Sequence, residues 1–139
     1  MSASRILRVP NRIEELAGVS EAVETLGREE AWAPDVSYGV VLALEELATN
    51  VVRHGGEEEG ASEIEIEVVS TDEEVRVEVR DKGKPFDPFR EAPAPNIDAA
   101  LEDRKIGGLG VHIVKALMDE AFYRREGGRN HVTMVKRRS

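Results

Sequence analysis

The period of the apolar positions changes along the chain, and each change marks a change of secondary structure. Between Pro34 and Gly55, Leu44, Leu47, Ala48 and Val51 recur at i, i+3, i+4 and i+7, the spacing of one face of an α-helix. Pro34, with Asp35 beside it, suits the first turn of that helix, and the paired glycines 55 and 56 suit its end. From Ser62 the period falls to two. Ile64, Ile66 and Val68 alternate with Glu63, Glu65 and Glu67; after a turn near Thr71 and Asp72, Val75, Val77 and Val79 alternate with Arg76, Glu78 and Arg80. This predicts a hairpin with one wet face. Strands covered by helices on both sides read as continuous apolar runs, so the clean alternation predicts helices on one face only and excludes a doubly wound sheet.

The same reading places the rest. Arg5 to Pro10 is a short opening strand, Ile13, Leu16, Ala17 and Val23 mark a helix to about Gly27, and the acidic stretch 57–60 is a loop. Phe89 to Ile106 contains Pro93 and Pro95 and at most a short helical turn around Ile97 to Leu101. A connection this long inside a compact domain is a functional lid or a disordered segment. Gly107-Gly108-Leu109-Gly110 then opens a helix bearing Val111, Val114, Ala116 and Leu117. Ala121 to Glu126 and His131 to Lys136, joined by Gly127-Gly128-Arg129-Asn130, read as a closing hairpin.

Composition narrows the function more than the fold. At 139 residues the chain reads as a single domain able to bury its own core. A formal charge of -9 disfavours nucleic acid and anionic membrane surfaces as partners. Without cysteine there is no disulfide and no thiolate chemistry, which fits a cytosolic protein. No apolar run approaches membrane-spanning length and the N-terminus has no signal-peptide core, so a cytoplasmic location is expected.

Three stretches carry candidate chemistry. Glu46, Asn50 and His54 fall at i, i+4 and i+8 on the polar face of the long helix. A carboxylate one turn from a carboxamide offers a proton acceptor and a neutral oxygen for a hard cation, although the same pair is ordinary on a solvated helix. Asp81 continues the odd-numbered set of Val75, Val77 and Val79, so its carboxylate is expected to point toward the covered face. There it either caps amides of the turn around Gly83 and Pro85 or serves as a fixed acceptor for the exocyclic amino group of a ligand. The glycines of 107–110 let backbone amides approach an anion at a helix N-terminus, or simply form a tight loop. That loop is not a Walker A motif, lacking the terminal Lys-Ser/Thr, nor a Rossmann fingerprint, since no strand immediately precedes it.

Taken in order, Glu-x-x-x-Asn-x-x-x-His-Gly, Asp-x-Gly-x-Pro-Phe-Asp-Pro, a lid and Gly-Gly-Leu-Gly resemble the ATP-binding superfamily of gyrase, the heat-shock chaperone, histidine kinases and mismatch-repair ATPases. Within it, Gly107-Gly-Leu-Gly-x-x-Ile-Val114, Leu117-Met118-Asp119 with Tyr123, and Gly128-Arg129-Asn130 with Thr133 resemble the anti-sigma factor serine/threonine kinases of bacterial partner switching. The resemblance spans about Pro34 to the end of the chain. It implies an α+β fold: a two-layer α/β sandwich with a mixed, mostly antiparallel sheet and helices on one face, the Bergerat-type ATP-binding fold.

The resemblance also implies roles. Glu46 would be the general base and Asn50 the Mg²⁺ ligand; Asp81 would accept from the adenine amino group, Gly83 would admit the base, and Thr133 would assist beside it. Gly107, Gly108, Leu109 and Gly110 would present amides to the phosphates of ATP, under a lid over 89–106 that includes Arg104 and Lys105. The implied partners are a sigma factor and a small antagonist protein that is phosphorylated, and the implied assembly is a homodimer. A nucleotide-gated binding module without catalysis is the alternative. The catalytic domain of a histidine kinase is a third reading, disfavoured because no helix bearing a phosphoacceptor histidine precedes the ATP-binding motifs.

Overall fold

The computed structural model describes residues 2–54, 62–91 and 107–139. Among these, β1 (Ala3–Pro10), β2 (Glu63–Ser70), β3 (Glu74–Asp81), β4 (Glu120–Glu126) and β5 (Arg129–Arg137) form one sheet in the order β1-β2-β3-β5-β4. Every pairing is antiparallel. A 3-10 turn at Ile13–Glu15 leads into α1 (Leu16–Glu29), and α2 (Pro34–His54), the single turn α3 (Pro88–Glu91) and α4 (Gly107–Leu117) follow. Glycines 55 and 56, the acidic loop 57–60 and residues 92–106 of the expected lid, with Arg104 and Lys105, lie outside the described residues. No helix among the described residues is long and apolar enough to cross a membrane.

Register builds the covered face. Leu7, Ile66, Val79, Val132 and Tyr123 lie abreast across the five strands, and Ile64, Ile66, Val68, Val75, Val77, Val79 and Met134 are buried. The α+β two-layer arrangement follows, since one face of alternating strands must be covered. α2 lies centrally against β3 and β5, with α1 and α4 on its flanks. Its buried set, including Val36, Val40, Ala43, Leu44 and Leu47, is therefore broader than a single stripe, whereas α1 buries Leu16, Val19, Val23 and Leu26 at ordinary helical spacing. Each such side chain contributes about 1.5–3 kcal/mol of transfer free energy.

The other face is more ordered than a merely solvated surface. Arg80 bonds Glu65, Glu67 and Glu78, and its side chain is only 13% exposed. His131, also buried, places Nδ1 2.8 Å from the Glu78 carboxylate. Burial alone would raise the Glu78 pKa, but the bonds from His131 and Arg80 outweigh it and hold the carboxyl below its ordinary range.

Two connections are tighter than the residue types suggest. β5 starts at Arg129, so the closing turn is Gly127-Gly128 alone rather than the expected four residues. Both glycines have positive φ, 60° and 74°, as a two-residue hairpin turn of matching twist demands. At the end of α1, the Trp32 N–H donates to the Gly27 carbonyl (2.9 Å) and the Ala31 N–H to that of Arg28 (3.3 Å), with Ala31 at φ 56°. This is the Schellman pattern, with alanine where glycine is usual. It turns the Trp32 ring onto Gly27, where an added Cβ would lie 2.7 Å from Cε3, and lets the indole N–H donate to Ser70 Oγ at 2.9 Å.

Candidate functional site

A narrow cleft opens where the polar face of α2 meets the ends of β3 and β5. α2 supplies Leu47, Asn50 and His54, the strands supply Val79, Asp81, Asn130 and Val132, and Phe86 closes one side. The lining is mostly apolar, with four polar side chains, which suits a flat heteroaromatic ring that needs few directional contacts. His54 and Phe86 stack at one wall, with centroids 4.8 Å apart and planes 14° from parallel. β3 ends at Asp81, and the 82–87 turn that follows brings Phe86 over the cleft.

Asp81 lies at the base, 5% exposed, on the covered face that its odd-numbered parity predicted. Its Oδ2 accepts from the Gly83 backbone N–H at 2.8 Å and from Asn130 Nδ2 at 3.2 Å. The turn-capping reading of Asp81 is thus realised, and the carboxylate is still held within the cleft. Gly83 is buried beside it.

Asn50 is buried at 5% exposure, and its amide nitrogen has no hydrogen-bond partner among the described residues. A buried polar side chain left unpaired at a cleft costs about 1–3 kcal/mol and indicates a group that binds there. The unpaired N–H donor calls for an acceptor such as a phosphate or water oxygen, and it is the oxygen of the same carboxamide that would meet a hard cation such as Mg²⁺, which prefers to retain water and phosphate oxygens around one protein ligand.

Glu46 lies one turn earlier, about 6 Å along the helix axis, beyond the apolar lining. It is half-buried against the first turn of α4. Burial raises its pKa above the ordinary 4.5; the Arg53 charge opposes the rise and Glu45 adds to it. The contact with α4 is close: a Cβ at Gly110 would fall 2.1 Å from Glu46 Oε2 and 2.9 Å from Cδ. Gly107, Gly108, Leu109 and Gly110 form that first helical turn, where unpaired amides and the helix field favour an anion. Gly110→Ala therefore sets two effects against each other. Alanine favours the helix by about 1 kcal/mol but displaces the carboxylate. The expected outcome is a folded protein in which chemistry that depends on the Glu46 carboxylate falls about 10²-fold, checked by melting temperature beside initial rate; an unchanged rate would mean that the Glu46 position is immaterial.

Thr133 requires correction. It pairs with Glu78 and Phe122, residues of the face turned away from the helices, and so lies opposite to Asp81 and the cleft. The position beside Asp81 belongs to Asn130, which the sequence reading treated as a turn residue. Val132 and Met134 are apolar and core-facing, so strand alternation alone places Asn130 on their face and Thr133 on the other. Lys105 lies outside the described residues.

Comparisons with known proteins agree with this fold. Residues 9–136 match the histidine kinase-like ATPase domain family. The chain is 26% identical over 113 residues to the serine/threonine-protein kinase BtrW of Bordetella bronchiseptica, covering 81% of this chain and 79% of that protein. It is 29% identical over 126 residues to the serine-protein kinase RsbW of Halalkalibacterium halodurans, covering 88% and 76% respectively. Among solved structures, that of the RsbU and RsbW domains of Rv1364c from Mycobacterium tuberculosis superposes with a TM-score of 0.71 at 18% identity, over 97% of this chain and 32% of that one. The SiaB-SiaC complex from Pseudomonas aeruginosa gives 0.63 at 14% identity, over 96% and 89%. These two likenesses establish the fold.

Proposed function

The chain belongs to the histidine kinase-like ATPase domain family, and from that premise we propose that it is an ATP-dependent protein serine/threonine kinase acting as an anti-sigma factor in bacterial partner switching. The observation that carries the reading is the placement of Glu46 and Asn50 one helical turn apart, between the Asp81 cleft and the glycine-rich start of α4. The similarity to serine and serine/threonine kinases over most of the chain supports it.

In this reading the adenine enters the cleft with its amino group toward Asp81, and Gly83 admits the ring. The triphosphate runs toward the amides of Gly108, Leu109 and Gly110. The Asn50 side-chain oxygen would hold Mg²⁺, which would supply neutralisation of phosphate charge. Glu46 takes the proton of a serine or threonine hydroxyl as that oxygen bonds to the γ-phosphorus and the bond to the bridging oxygen breaks, releasing ADP. The pKa of Glu46, raised chiefly by burial, makes it a stronger base than an exposed glutamate. The protein substrate is a small antagonist, the alternative partner is a sigma factor, and the assembly is a homodimer.

The test is transfer of label from γ-labelled ATP, with Mg²⁺, into an extract of the cells that make the protein. One small protein labelled on serine or threonine is the expected result. ATP binding confirmed by calorimetry, with no labelled protein under any condition, would shift the reading to a nucleotide-gated binding module.

A further inference from the structure

The most highly bonded side chain at the cleft is one that the kinase reading leaves without a role. Asn130 is 4% exposed and uses both ends of its amide. Nδ2 donates to Asp81 Oδ2 at 3.2 Å and to the Lys84 carbonyl at 2.9 Å. Oδ1 accepts from Tyr123 Oη at 2.6 Å, from Arg125 Nη1 at 3.2 Å and from the Phe86 backbone N–H at 3.3 Å. Arg125 Nη1 also donates to the Gly83 carbonyl at 2.8 Å. One buried amide thus ties β3, the 82–86 turn and β4 together at the point where the base would lie.

These partners fix which way the amide faces. Turned over, Oδ1 would meet a carboxylate oxygen and a carbonyl, while Nδ2 would meet an N–H and a guanidinium; these four contacts would become like pairs, and only the Tyr123 hydroxyl could adapt. In the observed orientation Asp81 Oδ2 lies between two N–H donors, Gly83 N and Asn130 Nδ2. Two donors fill the lone pairs of Oδ2 and fix the plane of the carboxylate, so it is the other oxygen of Asp81, Oδ1, that would meet the base as an acceptor. An acceptor so held favours a purine with an amino group at C6 and opposes one with a carbonyl there, where two acceptors would face each other.

We propose that Asn130, itself held by Tyr123 and Arg125, is the positioning residue that sets the base preference of this nucleotide site by fixing the Asp81 carboxylate. The inference rests on the nucleotide reading given above. It separates orientation from mere stability, because a residue that only braced the turn would affect every nucleotide alike.

The experiment compares calorimetric affinities for ATP and for inosine triphosphate, which differ in the amino or carbonyl group at C6. In Asn130→Leu, similar in size and unable to hydrogen-bond, the ATP preference is expected to fall about tenfold or more, almost entirely through weaker ATP binding. Tyr123→Phe with Arg125→Met leaves Asn130 in place and removes two of its supports; it is expected to reduce the preference in the same direction by a smaller factor. This double variant decides the matter if Asn130→Leu does not fold. Folded variants that keep the native ratio, with both affinities lowered equally or unchanged, overturn the role of Asn130 alone. A native protein that binds neither nucleotide overturns the nucleotide reading, and with it this inference.

Discussion

Glu46→Gln is expected to lower phosphotransfer by about 10²–10⁴-fold, the usual contribution of a positioned general base, while ATP affinity changes only slightly. Glutamine keeps the shape of the side chain against Gly110 and removes its basicity, and Glu46 is not among the side chains that line the base cleft. Because burial raises the Glu46 pKa, the native rate should fall on acidification with a midpoint above 4.5, and the variant should lack that limb. The sign for stability runs the other way. A carboxyl whose folded pKa is raised binds its proton more tightly when folded, so above its unfolded pKa it costs stability relative to a group with no shift. Glu46→Gln should therefore be at least as stable as the native protein at pH 7 and much less active. Single-turnover rates across pH, with melting curves on the same samples, check both halves. Equal loss of ATP binding and transfer would remove Glu46 from the role of base.

Trp32→Ala should destabilise the fold by about 3–5 kcal/mol, the range for deleting a large buried aromatic ring. Trp32 is 7% exposed, belongs to the core cluster and reaches from the α1–α2 connection to Ser70 at the end of β2. Truncation leaves a cavity over Gly27 and strands the fully buried Ser70 hydroxyl. Against a domain stability of about 5–15 kcal/mol, the variant would be marginal at 37 °C. Trp32→Phe keeps most of the ring, loses the indole bond and should cost about 0.5–1.5 kcal/mol for that bond. Urea midpoints rank the two. A Trp32→Ala midpoint no lower than that of a substitution at Tyr38, which is 66% exposed, would show that the connection does not anchor α1 to the sheet.

What could be read from sequence was whatever has a local period. The parity of Asp81 follows from Val75, Val77 and Val79 a few residues away, and the helical spacing of Glu46 and Asn50 depends on nothing outside α2. Thr133 shows the limit. Its face follows from alternation with Val132 and Met134, but a four-residue turn leaves Asn130 outside the strand, and with it the pairing that puts Asn130 rather than Thr133 beside Asp81. The depth of Asn50 was also hidden, because the polar side of an amphipathic helix is assumed to meet water; here it meets a cleft formed by strands that come later in the chain. No local pattern could join Trp32 to Ser70, since a contact across 38 residues is fixed only by packing of the whole layer.

The strand order has a consequence for how the molecule comes into being. β5 lies between β3 and β4 and pairs with both, yet it follows both in the chain. During synthesis, β1, β2 and β3 can pair as soon as they emerge, but β3 keeps an unpaired edge and β4 has no neighbour until residues 129–137 leave the ribosome. Asp81 waits equally long for Asn130. The nascent chain thus displays an apolar, unsatisfied sheet edge late into translation, a state prone to pairing with other chains. The cleft is likewise incomplete through the earlier steps, because Asn130 and Val132 on one of its walls come after α2 and β3 in the chain.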